Sequence, residues 1–591
     1  MNQIKKLIVI FPLILVACDR SPDLPYIDQG DYELLESYQK NRIEKILEKN
    51  KVAGASVTLF DSNEIIFSQN YGYFNLKTDM VTSDTIFKVS SITKLITAIT
   101  ILKLIDEGKC EINDPITNHI PSLKLQNKTL DKVTIKSLLT HHSGLERDIW
   151  DRAWGEKHGD VNDLISTLKS SVLAKKPNTV FSYSNVGYSV LEKLVENVSG
   201  TSYKNYVQMN VLKPLGIESI KFDDGQEIYG FRNYKKNKTI PNRDVAAGGL
   251  VSDSAGLVKF AQLLLATNNN QLLTDQEKTF LFEPQNTNIP LDFNMKTGFG
   301  TMIQENVRSF HTPLIARTGG SILHRSALML VPEFDLGIVV LINSPSYQSI
   351  YRIVTETLAN AIMVRTGKRS IPKKVVDQDT EKFKKYDISS YVGNYMSPMG
   401  EIAFKPYSNG KLKTKFLNQN FEIYQTEKGY LKIKYLLLGM IPISFPFMDA
   451  FNLYLLELDN HQYIITKRYG KHYLVAEKLK KMTYSKNIQP YLGAYLPEKI
   501  DGEYLPIESA KLYFENDVLK LNVKSEILKD FTMFVDELNL VLEEITPGTL
   551  RVFGNQPGWN GTLNLSKNST REIYLSGKKF IKINRLKYAN K

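Results

Sequence analysis

The sequence predicts a multidomain α/β (α+β) protein whose mixed half is followed by two antiparallel, barrel-like β modules. Three observations lead there. Between about residues 35 and 370, helical and strand-like segments alternate, the pattern of a sheet covered by helices. Inside that stretch, Ile92 to Ile105 is apolar or helix-forming at almost every position, which marks a helix buried on all sides of a large domain. Beyond residue 386 the chain turns tyrosine-rich, and Tyr391-Val392-Gly393-Asn394-Tyr395 recurs 100 residues later as Tyr491-Leu492-Gly493-Ala494-Tyr495. Each copy is followed by strand-like runs, Lys411 to Phe416 and Leu431 to Tyr435 in one, Leu512 to Phe514 and Val518 to Val523 in the other. A repeat of this kind reads as two consecutive β modules.

The expected order of parts begins with a leader. Lys5-Lys6 precede an apolar run, Leu7 to Ala17, that ends in Leu15-Val16-Ala17-Cys18. A basic start, a short apolar core and small residues before a cut are the features of a secretory signal, and the run is too short to remain as a membrane span. The ending resembles the lipobox of bacterial lipoproteins, which implies that Cys18 becomes a lipidated first residue; a plain signal with a chance cysteine is the other reading. Asp19 implies, where the enteric sorting rule applies, retention at the inner membrane. The expected divisions are a signal peptide over 1–17, a tether over 18–34, a mixed domain over 35–370, a linker over 371–386, and β modules over 387–484 and 485–591.

Within the mixed domain, Tyr38 to Asn50 has the periodicity of an amphipathic helix. Ser56 to Phe60 and Glu64 to Ser68 read as strands joined at the turn Asp61-Ser62-Asn63. Gly108 stops the apolar helix. A second helix, Val190 to Val198, follows Phe181-Ser182-Tyr183-Ser184-Asn185. Two late strands, Ser326 to Val331 and Gly337 to Asn343, are joined at Pro332-Glu333. Leu436 to Phe447 is apolar but proline-broken, and reads either as a core strand pair or as a loop reaching toward a cleft.

Composition narrows the chemistry. The net charge of +12 comes from 75 basic and 63 acidic residues without long runs, so it reads as a solvated surface, suited to an anionic lipid or wall polymer, rather than as a nucleic-acid groove. Cys18 and Cys110 are the only cysteines, so no disulfide framework or Cys/His metal cluster is expected. His141-His142 lack further ligand types nearby and read as structural histidines beside a cleft.

Two polar groups interrupt the start of the apolar helix, Ser91 and Lys94, one turn apart on the same face. A serine there meets the unpaired N–H groups and positive end of a helix. A lysine in apolar surroundings loses its proton more easily and can serve as a base or electrostatic partner. Together they describe an activated nucleophile. A phenol beside such an ammonium, Tyr183, can ionise well below its usual range and shuttle the serine proton. Asn185 offers an amide to a substrate carbonyl or to Lys94. Ile315-Ala316-Arg317-Thr318-Gly319-Gly320-Ser321 reads as a cleft-lining strand: Arg317 suits a carboxylate, and the Gly320 and Ser91 N–H groups suit an oxyanion.

Taken in order, Ser91-Ile92-Thr93-Lys94, Tyr183-Ser184-Asn185 and Arg317-Thr318-Gly319 resemble the three motifs of serine β-lactamases and penicillin-binding proteins, the middle one in its class C-like form. The resemblance extends through Leu139-Thr140-His141-His142-Ser143-Gly144-Leu145 and Ala247-Gly248-Gly249-Leu250-Val251-Ser252, over roughly residues 35–365. It implies an antiparallel sheet flanked by helices with an all-helical lobe. It also implies a serine hydrolase that needs no cofactor or metal and forms an acyl-enzyme; the lipobox-like leader adds the expectation of a cell-envelope, periplasm-facing place. Ser91, Lys94 and Tyr183 would be catalytic, Asn185, Arg317, Thr318 and Gly319 would bind substrate, and the Ser91 and Gly320 amides would hold the oxyanion. The substrate stays open among a peptidoglycan D,D-peptide, a β-lactam, a D-amino-acid amide and a small ester; a non-catalytic peptide- or lipid-binding lipoprotein is the alternative. The expected partners are that substrate, a membrane held through Cys18 and peptidoglycan, with no nucleic acid. The β modules resemble the lipocalin-like appendages of D-aminopeptidases. Two departures stand out: arginine replaces the family's lysine or histidine at 317, and Leu323-His324 replaces a glycine and an aromatic. His324 is expected either in the cleft or as a bonded surface residue. The literal Lys296-Thr297-Gly298 is expected to be a decoy.

Overall fold

The computed structural model describes residues 27–583 except 76, 127–129, 267–272, 306, 309, 369–383, 398–399, 417–418, 446–447, 449–450, 469–470, 526–536 and 555–559. The leader, Cys18, Asp19 and most of the expected linker lie outside the described residues.

The mixed half is built on a seven-stranded antiparallel sheet. Its elements are α1 (Tyr32–Lys49), β1 (Gly54–Phe60), β2 (Ile65–Gly72), α2 (Thr93–Asp106), α3 (Asn185–Ser199), α4 (Ser254–Leu265), β3 (Lys296–Thr297), β4 (Met302–Gln304), β5 (Leu314–Gly320), β6 (Arg325–Val331), β7 (Leu336–Ile342) and α5 (Tyr347–Thr366). The sheet runs β2-β1-β7-β6-β5-β4-β3. Residues β1, β6 and β7 are buried at every position, because the sheet is covered on both faces. Alternate side chains divide between two cores. Val57, Leu59, Ile338 and Val340 meet α1 and α5, whereas Val339, Leu341 and Leu328 face the core around α2.

Local chemistry sets the boundaries. Asp61 turns the β1–β2 hairpin by accepting from the Asn63 and Glu64 N–H groups at 3.0 Å. The first helix starts six residues before the expected Tyr38, at Tyr32, because Asp31 caps it by accepting from Leu34 N–H. α3 likewise begins at Asn185 rather than Val190, capped by Ser184 and closed by Gly200 at φ +71°.

The C-terminal half forms two closed antiparallel barrels. In the first, eight strands between Gly393–Ser397 and Lys471–Lys478 close through the pairing of Gln419–Gln425 with Leu431–Leu437. In the second, Gly493–Pro497 closes on Lys578–Lys582. The sequence repeat is one device used twice. Tyr395 and Tyr495 are fully buried, and each donates its hydroxyl to the carbonyl of the tyrosine four residues earlier. Gly393 and Gly493 turn the chain into the first strand at φ +143° and +149°, a conformation that side chains rarely adopt, and each packs against the stem of a last-strand lysine, Lys478 or Lys582. That lysine donates to the Ser390 or Pro490 carbonyl. Over its described part the run Leu436 to Phe447 is a strand pair, with Leu436 buried and Leu437 pairing Ile441, but its tip lies outside the core and exposes Leu438 and Met440.

The second barrel is fastened to the loop between Gly144 and Gly155. Trp150 of that loop joins the barrel's apolar core. Glu146 is buried and accepts from Thr562 N–H at 2.9 Å, Thr562 Oγ1 at 2.6 Å and Ser576 Oγ at 3.1 Å. Asn560 accepts from Arg147 N–H, and Tyr504 N–H donates to the Trp154 carbonyl.

Candidate active site

A 3₁₀ turn, Ser90–Ile92, delivers Ser91 to the mouth of α2, and Ser90 enters it with φ +50°, a conformation costly for a residue with a Cβ. Lys94, one turn on, is fully buried. Its Nζ donates to Asn185 Oδ1 at 2.7 Å, the Ala247 carbonyl at 2.6 Å and, more loosely, Ser91 Oγ at 3.3 Å. The Tyr183 hydroxyl is hydrogen-bonded to Ser91 Oγ at 2.8 Å. The serine oxygen thus lies between a phenol and an amine contributed by distant segments.

The electrostatics follow from burial and neighbours. Burial pushes Lys94 down to about 8, against the attraction of the Tyr183 oxygen and with the repulsion of Arg317. Burial alone would raise Tyr183; Lys94 and Arg317 overcome it and bring the phenol down to about 7. His141 packs on the Tyr183 ring with centroids 4.3 Å apart and accepts from Ser184 N–H. Burial, then Arg317 and Lys94, hold His141 well below its ordinary value, so it is a neutral wall.

Arg317 carries contacts the motif did not announce. It is 3% exposed, and its Nε donates to the Ser91 carbonyl at 2.7 Å while Nη2 donates to the Tyr183 hydroxyl at 3.3 Å. The guanidinium therefore braces the Ser91 turn and the phenol while also lining the cleft. Thr318, next on β5, is exposed and lines the cleft. Gly319 allows contact: a Cβ there would overlap the Val89 carbonyl and Ser326 Oγ and stand 3.1 Å from Ser91 N. Ser321 N–H bonds back to His324 O across the β5–β6 turn, so alternation turns the Gly320 N–H to the other edge, where β4 ends opposite Ala316. Gly320 lines the cleft on that edge together with Ser91.

Asn185 was legible in the sequence, but its partner was not. Asp148 Oδ1 accepts from Asn185 Nδ2 at 2.6 Å, which turns the amide oxygen toward Lys94. No motif marks Asp148; only the loop fastened by Glu146 and Asn560 carries it there. His324 corrects the surface reading. It is 1% exposed, with Nδ1 accepting from Lys88 N–H and Nε2 bonded to the Tyr229 carbonyl, so it holds the wall behind the cleft. His142 pairs with Asp292 at 2.7 Å. Lys296 lies on β3, two strands from β5, and pairs with Glu305. Among the described residues no group of three or more His, Cys, Asp or Glu side chains could hold a metal ion.

A sequence profile of the Beta-lactamase family matches residues 40–357, more than half of the chain. The chain belongs to the Beta-lactamase family. The matched residues of this family member include α2, Tyr183 and β5. "Protein flp" of Staphylococcus aureus (strain N315) is 33% identical over 183 residues, 30% of this chain and 37% of that protein, so the chain spans little more than a third of its relative. Among solved structures, SurE aligns with a TM-score of 0.54 at 18% identity, covering 75% of this chain and all of that one. The octameric penicillin-binding protein homologue from Pyrococcus abyssi aligns at 0.50 with 22% identity, over 75% of this chain and 100% of its own. These two likenesses concern the fold.

Proposed function

We propose that this Beta-lactamase-family protein is a cell-envelope serine hydrolase that works through an acyl-enzyme on Ser91. The observation that carries the reading is the convergence on one oxygen: Tyr183 Oη at 2.8 Å and Lys94 Nζ at 3.3 Å from Ser91 Oγ. With Tyr183 ionised, its oxygen takes the Ser91 proton as Oγ attacks a substrate carbonyl, and the charge that develops on the carbonyl oxygen is met by the Ser91 and Gly320 N–H groups. Tyr183 returns the proton to the departing amine or alcohol, and water then releases the acyl group by the same path in reverse. Lys94 and Arg317 hold the phenolate, and Asn185 holds Lys94. The reaction calls on no metal or cofactor.

The substrate class in this reading is an amide or ester of the envelope: a D,D-peptide, a β-lactam, a D-amino-acid amide or an ester. The lipid anchor on Cys18 belongs to the same proposal and would put the site near the membrane and peptidoglycan. Intact-mass measurement after treatment with a fluorophosphonate tests the chemistry. One adduct that vanishes in Ser91→Ala is expected; no adduct in the wild-type protein would leave a non-catalytic binder as the better account. Loss of fatty-acid labelling in Cys18→Ala tests the anchor.

A further inference from the structure

Two cavities open from Ser91, and their walls differ in kind. One, of about 410 Å³, runs under polar and basic groups that include Lys88, Arg232, Lys238 and Asn242. The other, of about 550 Å³, passes Tyr183 and Thr318 and continues between the two domains to the rim of the second barrel. There its wall is mainly apolar, Trp150 with Ile507, Leu540, Val552 and Leu575, beside the polar Asn560 and Ser576.

These four barrel residues share one geometry. Each belongs to the barrel's apolar core, and so points inward: Leu540 alternates with exposed Asn539, and Val552 with Arg551, which pairs outward with Glu543. All four also stand at the same end of the barrel, at the start of Ile507–Glu515, near the start of Glu537–Thr546, and at the ends of Thr549–Val552 and Glu572–Leu575. Inward-facing residues at a barrel rim normally meet only one another; here one side of that layer forms the wall of the nucleophile's cleft. The attachment is firm. Trp150 is inserted into the layer, and Glu146 and Asn560 tie the barrel to the loop that carries Asp148.

We propose that the rim of the second barrel is the specificity pocket of the enzyme, taking an apolar substituent of the amide or ester that Ser91 attacks. The inference rests on the hydrolase reading above and adds the class of substrate: a molecule polar on one side of the scissile carbonyl and apolar on the other. Apolar walls reward a side chain by removing it from water, about fourfold in affinity for each fully buried methylene.

The test uses the full-length protein. Two ester series are compared, p-nitrophenyl esters with acyl chains of about two to ten carbons, and acetate esters of alcohols of the same lengths, so that either side of the bond can enter the pocket. In one series kcat/KM should rise toward six to eight carbons, by up to about fourfold for each methylene the pocket buries fully, so about 100-fold or more in all. Leu540→Trp or Val552→Trp fills the pocket and should cut the long-to-short ratio about tenfold or more, whereas Leu540→Ala with Val552→Ala should move the optimum to longer chains. Fluorophosphonate stoichiometry at Ser91 shows that the mixed domain of each variant is folded, and calorimetry that keeps the wild-type transitions shows that the second barrel is. If Ser91 is labelled but both series are flat, or the ratio ignores the barrel substitutions, the pocket assignment is wrong while the hydrolase reading stands. If wild-type Ser91 takes no label, both fall.

Discussion

Replacing Arg317 by glutamine should move the whole pH profile of the site upward. The guanidinium Nη2 stands 3.3 Å from the Tyr183 oxygen. At that separation, and at the effective dielectric of about 20 that suits protein sites, a full charge pair is worth about 5 kcal/mol, an upper bound of three to four pKa units. The charge is spread over three nitrogens and water replaces part of its effect, so an actual shift of about one to three units is expected. The sign is fixed on both limbs. In the proposed mechanism Tyr183 acts as the phenolate, which Lys94 and Arg317 bring down to about 7 against burial; without the guanidinium the phenolate is less stable, and the acid limb climbs. Lys94 is pushed down by burial and further by Arg317, so its loss of a proton near 8 also moves up. The two groups interact strongly and titrate as a pair, and the observable is therefore the displacement of both limbs. The assay is the second-order rate of Ser91 labelling by a fluorophosphonate between about pH 5 and 11, which needs no knowledge of the substrate. A profile that keeps both limbs within about half a unit and merely loses height would refute the electrostatic role and leave Arg317 a mechanical brace of the Ser91 carbonyl.

Four further outcomes follow from the same contacts. Tyr183→Phe should slow Ser91 labelling by about 10²- to 10⁴-fold, with Lys94→Ala in the same range, and the double variant should cost little more than the worse single one because they act as a unit. Asp148→Ala frees the Asn185 amide to turn and should lower the labelling rate by about tenfold or more, whereas Asp148→Asn, which still offers an acceptor, should recover most of it. Glu146→Ala strands Thr562 and Ser576 in a buried interface at about 1–3 kcal/mol per unpaired group, so calorimetry should show a lower, split transition in which the second barrel melts first. Glu192 is buried and bonded to Ala246 N–H, and burial raises it to about 8. The folded state thus holds a proton that the unfolded chain has lost above about pH 4.5, so its contribution to stability should decline from there to about pH 8, and Glu192→Gln should flatten that part of the curve measured by urea unfolding.

What the sequence made legible was short-range or periodic. The buried helix was visible because Ile92 to Ile105 carries apolar residues on every face, and all but its last few positions are buried. The β hairpin was visible because Asp61 is a side chain that makes its own turn. The paired barrels were visible because the tyrosine-glycine-tyrosine device must be spelled out in each copy. Tertiary partners were not visible. Asp148 reaches Asn185 only because a barrel four hundred residues downstream grips its loop at Glu146 and Arg147 (Thr562 is 416 positions from Glu146). Arg317 suggested a carboxylate because that is what a guanidinium commonly binds; its bond to the Ser91 carbonyl exists because β5 passes close to the Ser91 turn, which no local pattern announces. His324 drew attention as a departure in a cleft motif; its two backbone partners are the Tyr229 carbonyl and the Lys88 N–H, on separate strands that no local pattern joins to it.

The substitution of arginine at 317 also fits the charge balance of the site. Lys94 and Arg317 are both buried, and among the described contacts their hydrogen-bond acceptors are the Asn185 amide, backbone carbonyls and the oxygens of Ser91 and Tyr183, with no carboxylate. Two cations out of water and without a carboxylate in contact are costly unless one neutralises or an anion forms beside them. Arginine cannot give up its proton, so the relief must come from Lys94 losing one or Tyr183 doing so. Both groups move in those directions, Lys94 down to about 8 and Tyr183 down to about 7. A titratable lysine or histidine at 317 would offer a third escape, and the phenol would then be under less pressure to ionise. The fixed guanidinium removes that escape, and the anion it calls for is the oxygen already placed 2.8 Å from the Ser91 hydroxyl.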